Sequence, residues 1–205
     1  MKIIVVESAE KYNKLGQNTF NNVLSLCPRL WLKADSALLK NNKPFFIPDF
    51  TQECSASVYV ALRVCRMGKS IPARFAHRYY DACSVAVDFT AEDVLRVLRK
   101  SGEPWDMAKS FDSSVAVGDF VDMHEVGGAA VSARLEVNGE ERSVNVCEDI
   151  AFFAGEVIES VSRVFTIRQG DLLLAGCPDG KPTVEINDHL DAFLNGRKVL
   201  DFNIK

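Results

Sequence analysis

The segment Val131-Ser132-Ala133-Arg134-Leu135-Glu136-Val137-Asn138-Gly139-Glu140-Glu141-Arg142-Ser143-Val144-Asn145-Val146 decides the fold class. It contains two strand candidates, Val131–Val137 and Arg142–Val146, on either side of Asn138-Gly139. Because Asn-Gly accepts the positive φ angles of a tight turn, the segment predicts a β-hairpin. Strand pairing of this local kind points to a sheet-rich protein.

Further strand candidates run along the chain on both sides of this hairpin. A second Asn-Gly, Asn195-Gly196, precedes the candidate Lys198–Ile204 and suggests a closing hairpin. The other strand candidates are Lys2–Val6, Ser57–Arg66 and Leu172–Leu174. Many strands without a regular βαβ alternation predict a β-rich α+β domain.

Three helices are predicted between the strands, over Pro72–Ala82, Thr90–Lys100 and Asp149–Arg163. The first begins with proline, whose missing N–H costs nothing in the first turn. The second begins with a capping box, in which Thr90 is the N-cap and Asp93 replaces the usual glutamate.

Length and charge narrow the class of protein. The chain has 205 residues, 47% of them hydrophobic, and a net charge of −4. This size suits one globular domain, residues 1–205. The acidic balance argues against nucleic-acid binding and against a polybasic membrane surface. No apolar run is long enough to span a bilayer or to form a signal peptide, so we expect a cytoplasmic protein.

Three local patterns are candidate sites when the residues are read alone. Asp88 ends the apolar run Ser84–Val87, where it is either a ligand or a helix cap. Lys109 and Asp112 could form an ion-pair corner, and the turn Gly176–Gly180 could present backbone N–H groups to an anion. A purely structural role is the alternative for each pattern.

Five motifs in order resemble the fumarylacetoacetate hydrolase family. Val87–Asp93 resembles its Asp-x-Thr-Ala-Arg-Asp, and Pro104–Asp112 resembles its Pro-Trp-x-x-x-Lys-x-Phe-Asp. The remaining three motifs are Trp31–Leu39, Phe45–Phe50 and Gly170–Gly180. The match covers a core of residues 30–205 and leaves residues 1–29 as a divergent N-terminal or lid segment.

The resemblance implies a mixed β-sheet roll with a few short helices, and usually a homodimer. Active members hold Mg²⁺ or Mn²⁺ through Glu-x-Glu and the motif aspartate, and act on 2-keto or β-diketo acids as hydrolases, hydratases, isomerases or decarboxylases. The resemblance also implies Lys109 as the family lysine. It places substrate-binding positions at Asp112, Gly176, Cys177 and Pro178.

This chain departs from the family at the positions that carry chemistry. Counting back from Cys65–Lys69 places Glu-x-Glu at Ser57-Val58-Tyr59, so Asp88 is the one metal-ligand position retained. The motif arginine is Glu92, and no histidine precedes His77. One carboxylate should hold a divalent ion weakly at best. A site relocated to Glu92 or Glu53 is the alternative.

Two hypotheses follow from these departures. In the first, the chain keeps the fold and a pocket, has impaired metal-dependent catalysis, binds no metal tightly, and takes a small carboxylate or keto acid or pairs with an active paralogue. In the second, it is an active metal-dependent enzyme with a rebuilt site. Without a metal, Lys109 is expected to pair with Asp88 or Asp112, because a lone buried charge is costly.

Overall fold

The computed structural model describes residues 1–7, 29–39, 42–126 and 130–205. The strands are β1 (Ile3–Glu7), β2 (Arg29–Lys33), β3 (Leu38–Leu39), β4 (Cys54–Val64), β5 (Tyr80–Ala91), β6 (Val115–Val117), β7 (Val121–Asp122), β8 (Val131–Val137), β9 (Glu140–Cys147), β10 (Leu172–Gly176), β11 (His189–Leu194) and β12 (Arg197–Asn203). The α-helices are α1 (Glu92–Ser101), α2 (Asp106–Lys109), α3 (Met123–Val126) and α4 (Ile150–Val164). Two 3₁₀ helices cover Asp35–Ala37 and Ala73–Arg78.

The described strands form two sheets. The larger sheet has the order β2-β1-β10-β4-β5-β6-β3, with β7 also paired to β5. The smaller sheet has the order β12-β11-β8-β9. The larger sheet is mixed, because β1 runs parallel to β10 while β4 runs antiparallel to both of its neighbours. The predicted β-rich α+β class, with a mixed sheet and a few short helices, is confirmed.

Both Asn-Gly dipeptides form the predicted hairpin turns. Asn138 and Gly139 have φ angles of 54° and 81°, and Asn195 and Gly196 have φ angles of 49° and 81°. β8 pairs with β9 across the first turn, and β11 pairs with β12 across the second. These turns set the register of the smaller sheet, as the sequence predicts.

Opposite faces of the larger sheet pack against different partners. Val58, Val60 and Leu62 of β4 join a large core that includes residues of the smaller sheet and α4. Tyr59 and Ala61 of the same strand belong to a second, smaller cluster. Because side chains alternate along a strand, the two clusters lie on opposite faces. The candidate site lies on the face of the smaller cluster.

Two helix predictions are wrong at their boundaries. The predicted helix Pro72–Ala82 is a short 3₁₀ helix over Ala73–Arg78, and β5 begins at Tyr80. Thr90 is buried in β5 and is not an N-cap, since α1 begins at Glu92 after Ala91. Sheet pairing of β5 with β4 as far as Ala91 outweighs the local capping signal. Asp88 likewise lies inside β5, not at the end of a strand.

None of the helices that the structure describes is long and apolar enough to cross a membrane. The longest of them, α4, covers the large core through Ile150, Ala154, Ile158 and Val161. The predicted helix Asp149–Arg163 is therefore confirmed, and Asp149 is its N-cap.

The N-cap of α4 yields a stability prediction. Asp149 Oδ1 accepts hydrogen bonds from the backbone N–H groups of Ala151 and Phe152, both at 3.0 Å. Asp149→Ala should lower the free energy of unfolding by about 1 kcal/mol, because two N–H groups of the first turn lose their acceptor. Urea unfolding followed by circular dichroism measures this loss. Glu148→Ala, one residue earlier and exposed, is the matched control, and an equal loss there would contradict the capping role.

Candidate active site

The family metal positions lie together on one face of the larger sheet. Ser57 of β4 stands directly opposite Asp88 of β5 in the antiparallel ladder. Tyr59 lies two residues further along β4, so it shares that face. All three residues are buried: Ser57 is 7% exposed, Tyr59 is 2% exposed and Asp88 is 1% exposed. The motif spacing from which the sequence analysis assigns these three residues to one site therefore agrees with the fold.

Asp88 forms a buried ion pair with Lys33. Lys33 Nζ lies 2.5 Å from Asp88 Oδ1, and neither side chain is more than 1% exposed. The same ammonium donates to the backbone oxygen of Ser114 at 3.1 Å and to Ser114 Oγ at 2.9 Å. The ammonium therefore makes two hydrogen bonds to Ser114 and one close ion-pair contact with Asp88.

The position of Lys33 requires the sheet to curl. Lys33 ends β2 at one edge of the sheet, and β1, β10 and β4 lie between it and β5 in the strand order. In a flat sheet, four interstrand spacings would separate β2 from β5 by roughly 19 Å. A lysine side chain cannot cross that distance, so β2 has rolled over the face that carries Asp88.

Burial and pairing act in opposite directions on Lys33. Removal from water lowers the pKa of its ammonium, while the Asp88 carboxylate raises it, and the pKa remains below that of an exposed lysine. Lys33 is nevertheless the cation that lies against Asp88 and balances its negative charge. Removing either partner would leave the other as an uncompensated buried charge.

Lys109, which the resemblance predicts to be the family lysine, does not make the ion pair that the sequence predicts for it. Its Nζ lies 4.2 Å from the centroid of the Trp31 ring and 3.4 Å from Thr90 Oγ1. Within the described residues it makes no ion pair with Asp88, which is held by Lys33, or with Asp112, which is exposed. The predicted pairing of Lys109 with one of these carboxylates is therefore wrong, because a second lysine reaches Asp88.

The surroundings of Lys109 disfavour its charged form. Burial lowers the pKa of its ammonium, and the charges of Lys181 and Lys33 lower it further, against the opposing effects of Asp88 and Glu7. The face of Trp31 supplies a partial counter-charge through its ring quadrupole. Lys109 is thus a nearly buried cation, 6% exposed, without a carboxylate in contact among the described residues.

The carboxylates of a relocated metal site already have partners. Glu92 Oε1 accepts from Ser55 Oγ at 2.6 Å and pairs with Lys181 Nζ. Burial opposes ionisation of Glu92, but these contacts outweigh it and lower the pKa of the carboxyl group. Glu53 pairs with Arg96 at 2.7 Å. In the described part of the chain, neither glutamate joins Asp88 in a cluster that could hold a metal ion.

The remaining family positions lie around Tyr59. Burial, together with the negative charges of Asp88 and Glu7 and the Cys177 thiol, raises the pKa of the Tyr59 hydroxyl well above its ordinary value. Gly176 ends β10 opposite Glu7, and Cys177 and Pro178 follow it at partial exposure. The predicted substrate-binding role of Asp112, Gly176, Cys177 and Pro178 stays a prediction. Residues 8–28, which include most of the lid segment, lie outside the described residues.

A shallow cleft of about 190 Å³ borders Lys109. Its walls are Trp31, Pro104, Trp105, Asp106, Lys109 and Ser110. Trp31 Nε1 is buried and has no hydrogen-bond partner among the described residues. A buried donor without an acceptor is costly, so this indole N–H is an unfavourable feature of the wall beside Lys109.

Sequence reasoning assigned no role to Lys33, Trp31 or Lys181. Lys33 and Trp31 lie in a motif that resembles the family, but nothing in the sequence indicates that β2 folds over the distant strand β5. Lys181 follows the Gly176–Gly180 turn, and its partner Glu92 replaces the motif arginine. The signal available in the sequence is the reversed charge at position 92, because a partly buried glutamate favours a cation nearby.

Comparison with known proteins gives a consistent result over the whole chain. Residues 5–205 match the family model of the fumarylacetoacetate (FAA) hydrolase C-terminal domain. The mitochondrial oxaloacetate tautomerase of Mus musculus is 31% identical over 179 residues, which are 87% of this chain and 81% of that protein.

Solved structures show the same fold. A fumarylacetoacetate hydrolase family protein of Yersinia pestis CO92 superposes with a TM-score of 0.84 at 29% identity, over 100% of this chain and 92% of that one. The fumarylpyruvate hydrolase of Pseudomonas aeruginosa, solved with Mn²⁺ and pyruvate, gives a TM-score of 0.83 at 21% identity, over 100% of this chain and 89% of that one.

The Lys33–Asp88 pair predicts strong energetic coupling. Lys33→Met should lower the free energy of unfolding by about 3–5 kcal/mol, because Asp88 is left buried and unpaired. The double variant Lys33→Met/Asp88→Leu should lose less than the sum of the two single variants. Chemical denaturation of all four proteins measures the coupling. Arg96→Met breaks the exposed Glu53 pair and should lose far less, and additivity at Lys33 and Asp88 would contradict a direct ion pair.

Proposed function

Because the chain belongs to the fumarylacetoacetate hydrolase family, we propose that it binds a small 2-oxo acid without a divalent cation, with its metal-dependent catalysis lost or impaired. The observation that carries this proposal is the distance of 2.5 Å between Lys33 Nζ and Asp88 Oδ1. An ammonium group thus lies against the one carboxylate retained at the family metal positions.

The residues present do not fit a tightly bound Mg²⁺ or Mn²⁺ ion. Such ions take hard oxygen ligands, and protein sites supply several of them as carboxylates. Here Ser57 and Tyr59 replace two carboxylates, and the high pKa of Tyr59 keeps its phenol neutral. A divalent ion at Asp88 would also have to displace the Lys33 ammonium or lie against it. No step of the proposed function therefore involves a metal.

The charge of the site favours an anion. Lys109 carries its ammonium beside the cleft without a carboxylate in contact among the described residues. A ligand carboxylate can accept from this ammonium and remove the cost of leaving its charge unpaired. The names of the relatives support the class of ligand, since one is an oxaloacetate tautomerase and another was solved with pyruvate.

An active metal-dependent enzyme is the second candidate function. The relatives favour it, because the mouse protein is named for an activity on oxaloacetate and the Pseudomonas protein binds Mn²⁺. The two candidates differ in their response to metal. Oxaloacetate keto–enol interconversion and decarboxylation, followed spectroscopically in EDTA and in Mn²⁺, should show little metal-dependent activity if the first candidate is right.

Three further expectations from the sequence stay predictions: the homodimer, an active paralogue as partner and a cytoplasmic location.

Binding of a 2-oxo acid should depend on Lys109 and not on metal. Titration calorimetry with pyruvate should give the same affinity in EDTA and in Mn²⁺. Lys109→Met should weaken binding by at least tenfold, the equivalent of about 1.4 kcal/mol, because the carboxylate loses its cation. Lys100→Met, on the exposed face of α1, is the matched control. Affinity that rises with Mn²⁺ in the wild type would overturn the proposal.

Restoring carboxylates should create a metal site. Ser57→Glu with Tyr59→Glu puts two carboxylates on the face of Asp88, and Lys33→Met frees Asp88 from its ion pair. This triple variant should be stabilised by Mn²⁺ by about 2.7 kcal/mol at a hundredfold excess over Kd. The same variant with Asp88→Asn is the control and should respond less. Thermal unfolding in EDTA and Mn²⁺ measures the effect, and an equal rise in the wild type would mean that a working metal site was present throughout.

A further inference from the structure

We propose that Lys109 is a carbonyl-reactive lysine, whose Nζ condenses with the 2-oxo group of the bound acid to form an imine. This inference rests on the proposed binding of a 2-oxo acid and adds a covalent step to it. Imine formation requires an amine that is close to the ligand, free of a carboxylate partner and able to lose its proton.

The position of Lys109 meets the first two conditions. Lys109 lines the cleft together with Trp31 and Ser110, so a ligand in the cleft lies beside this side chain. Its described contacts are the Trp31 ring and the Thr90 hydroxyl, and neither is an anion that would fix the ammonium form. The side chain is 6% exposed, which keeps most water away from the amine.

The third condition follows from the charges around Lys109. Burial disfavours its ammonium, and the cations Lys181 and Lys33 repel it, so that its pKa lies below the ordinary value. The carboxylates of Asp88, Glu7 and Glu92 oppose this effect, but each of them already has a cation of its own, namely Lys33, Arg29 and Lys181 respectively. A buried lysine beside other cations is the setting in which lysine nucleophiles arise.

The neighbouring lysines do not meet the same conditions. Lys33 is fully buried, pairs with the Asp88 carboxylate and donates to two oxygens of Ser114, so its ammonium is fixed by an anion. Lys181 is already paired with the Glu92 carboxylate. Lys109 is therefore the group at this site from which an imine is expected.

The step conserves atoms and charge. Neutral Lys109 Nζ adds to C2 of the 2-oxo acid: the C–N bond forms, the C=O π bond breaks, and a proton moves from nitrogen to oxygen. The hydroxyl oxygen then takes up one further proton from solvent and leaves as water, which gives the cationic, protonated imine. The Thr90 hydroxyl, 3.4 Å from Nζ, is placed to relay the proton. The cationic imine acidifies C3 of the ligand, so hydrogen on that carbon should exchange with solvent.

Reductive trapping tests the proposal on the intact protein. The protein is incubated in EDTA with pyruvate and cyanoborohydride, and adducts are located by peptide mass spectrometry. We expect one secondary amine on Lys109, with a mass increase of pyruvate less one oxygen atom. Lys109→Arg keeps a cation and should abolish this adduct, whereas Lys100→Met should leave it unchanged. Labelling that is absent from Lys109, or that is no faster there than on exposed lysines, would overturn the proposal.

A second measurement separates this inference from the proposed function. Calorimetry with pyruvate in EDTA reports binding, whether or not an imine forms. Binding without an adduct on Lys109 would leave the proposed function standing and refute the imine. Absence of binding would refute both. Exchange of pyruvate methyl hydrogens in D₂O, followed by NMR, should be at least tenfold faster with the wild type than with Lys109→Arg if the imine forms in solution.

Discussion

The ion pair between Lys33 and Asp88 is the contact on which the arrangement of the site depends. It joins the edge strand β2 to the central strand β5 across the curled face of the larger sheet. Ser110 Oγ also donates to the backbone oxygen of Leu32 at 2.7 Å. This hydrogen bond connects β2 to the segment that follows α2. With β2 held there, Trp31 is brought over Lys109, and the cleft has its aromatic wall. The position of β2 and the aromatic wall of the cleft are therefore tied to one buried contact.

The same pair gives a physical reason for the changes at the family metal positions. One carboxylate and one ammonium balance each other, so Asp88 needs no divalent ion. Carboxylates at positions 57 and 59 would add two negative charges to a buried face without a cation to offset them. A serine and a neutral tyrosine avoid that cost. The exchange of arginine for Glu92 follows similar logic, because Lys181 supplies the missing positive charge from another loop.

The sequence predicted the parts of the structure that depend on local chemistry. The two Asn-Gly turns and the helix predicted over Asp149–Arg163 need only neighbouring residues, and each forms as expected. Thr90 was misassigned because its partners lie on β4, which the local sequence does not reveal. The partner of Lys109 was misassigned for a similar reason. Lys33 lies 55 positions before Asp88 in the sequence, and only the roll of the sheet brings them together.

The charges of the described site explain why it should take an anion. The ammonium groups of Lys33, Lys109 and Lys181 face the carboxylates of Asp88 and Glu92, and Glu7 is paired with Arg29. Among residues 1–7, 29–39, 42–126 and 130–205, no carboxylate contacts the remaining positive charge, that of Lys109. A buried lone charge either loses its proton or finds a counter-ion. A 2-oxo acid suits either state of Lys109. Its carboxylate can pair with the ammonium form, and its carbonyl can react with the neutral amine. The chemistry of the ligand class thus matches the two states open to this one lysine.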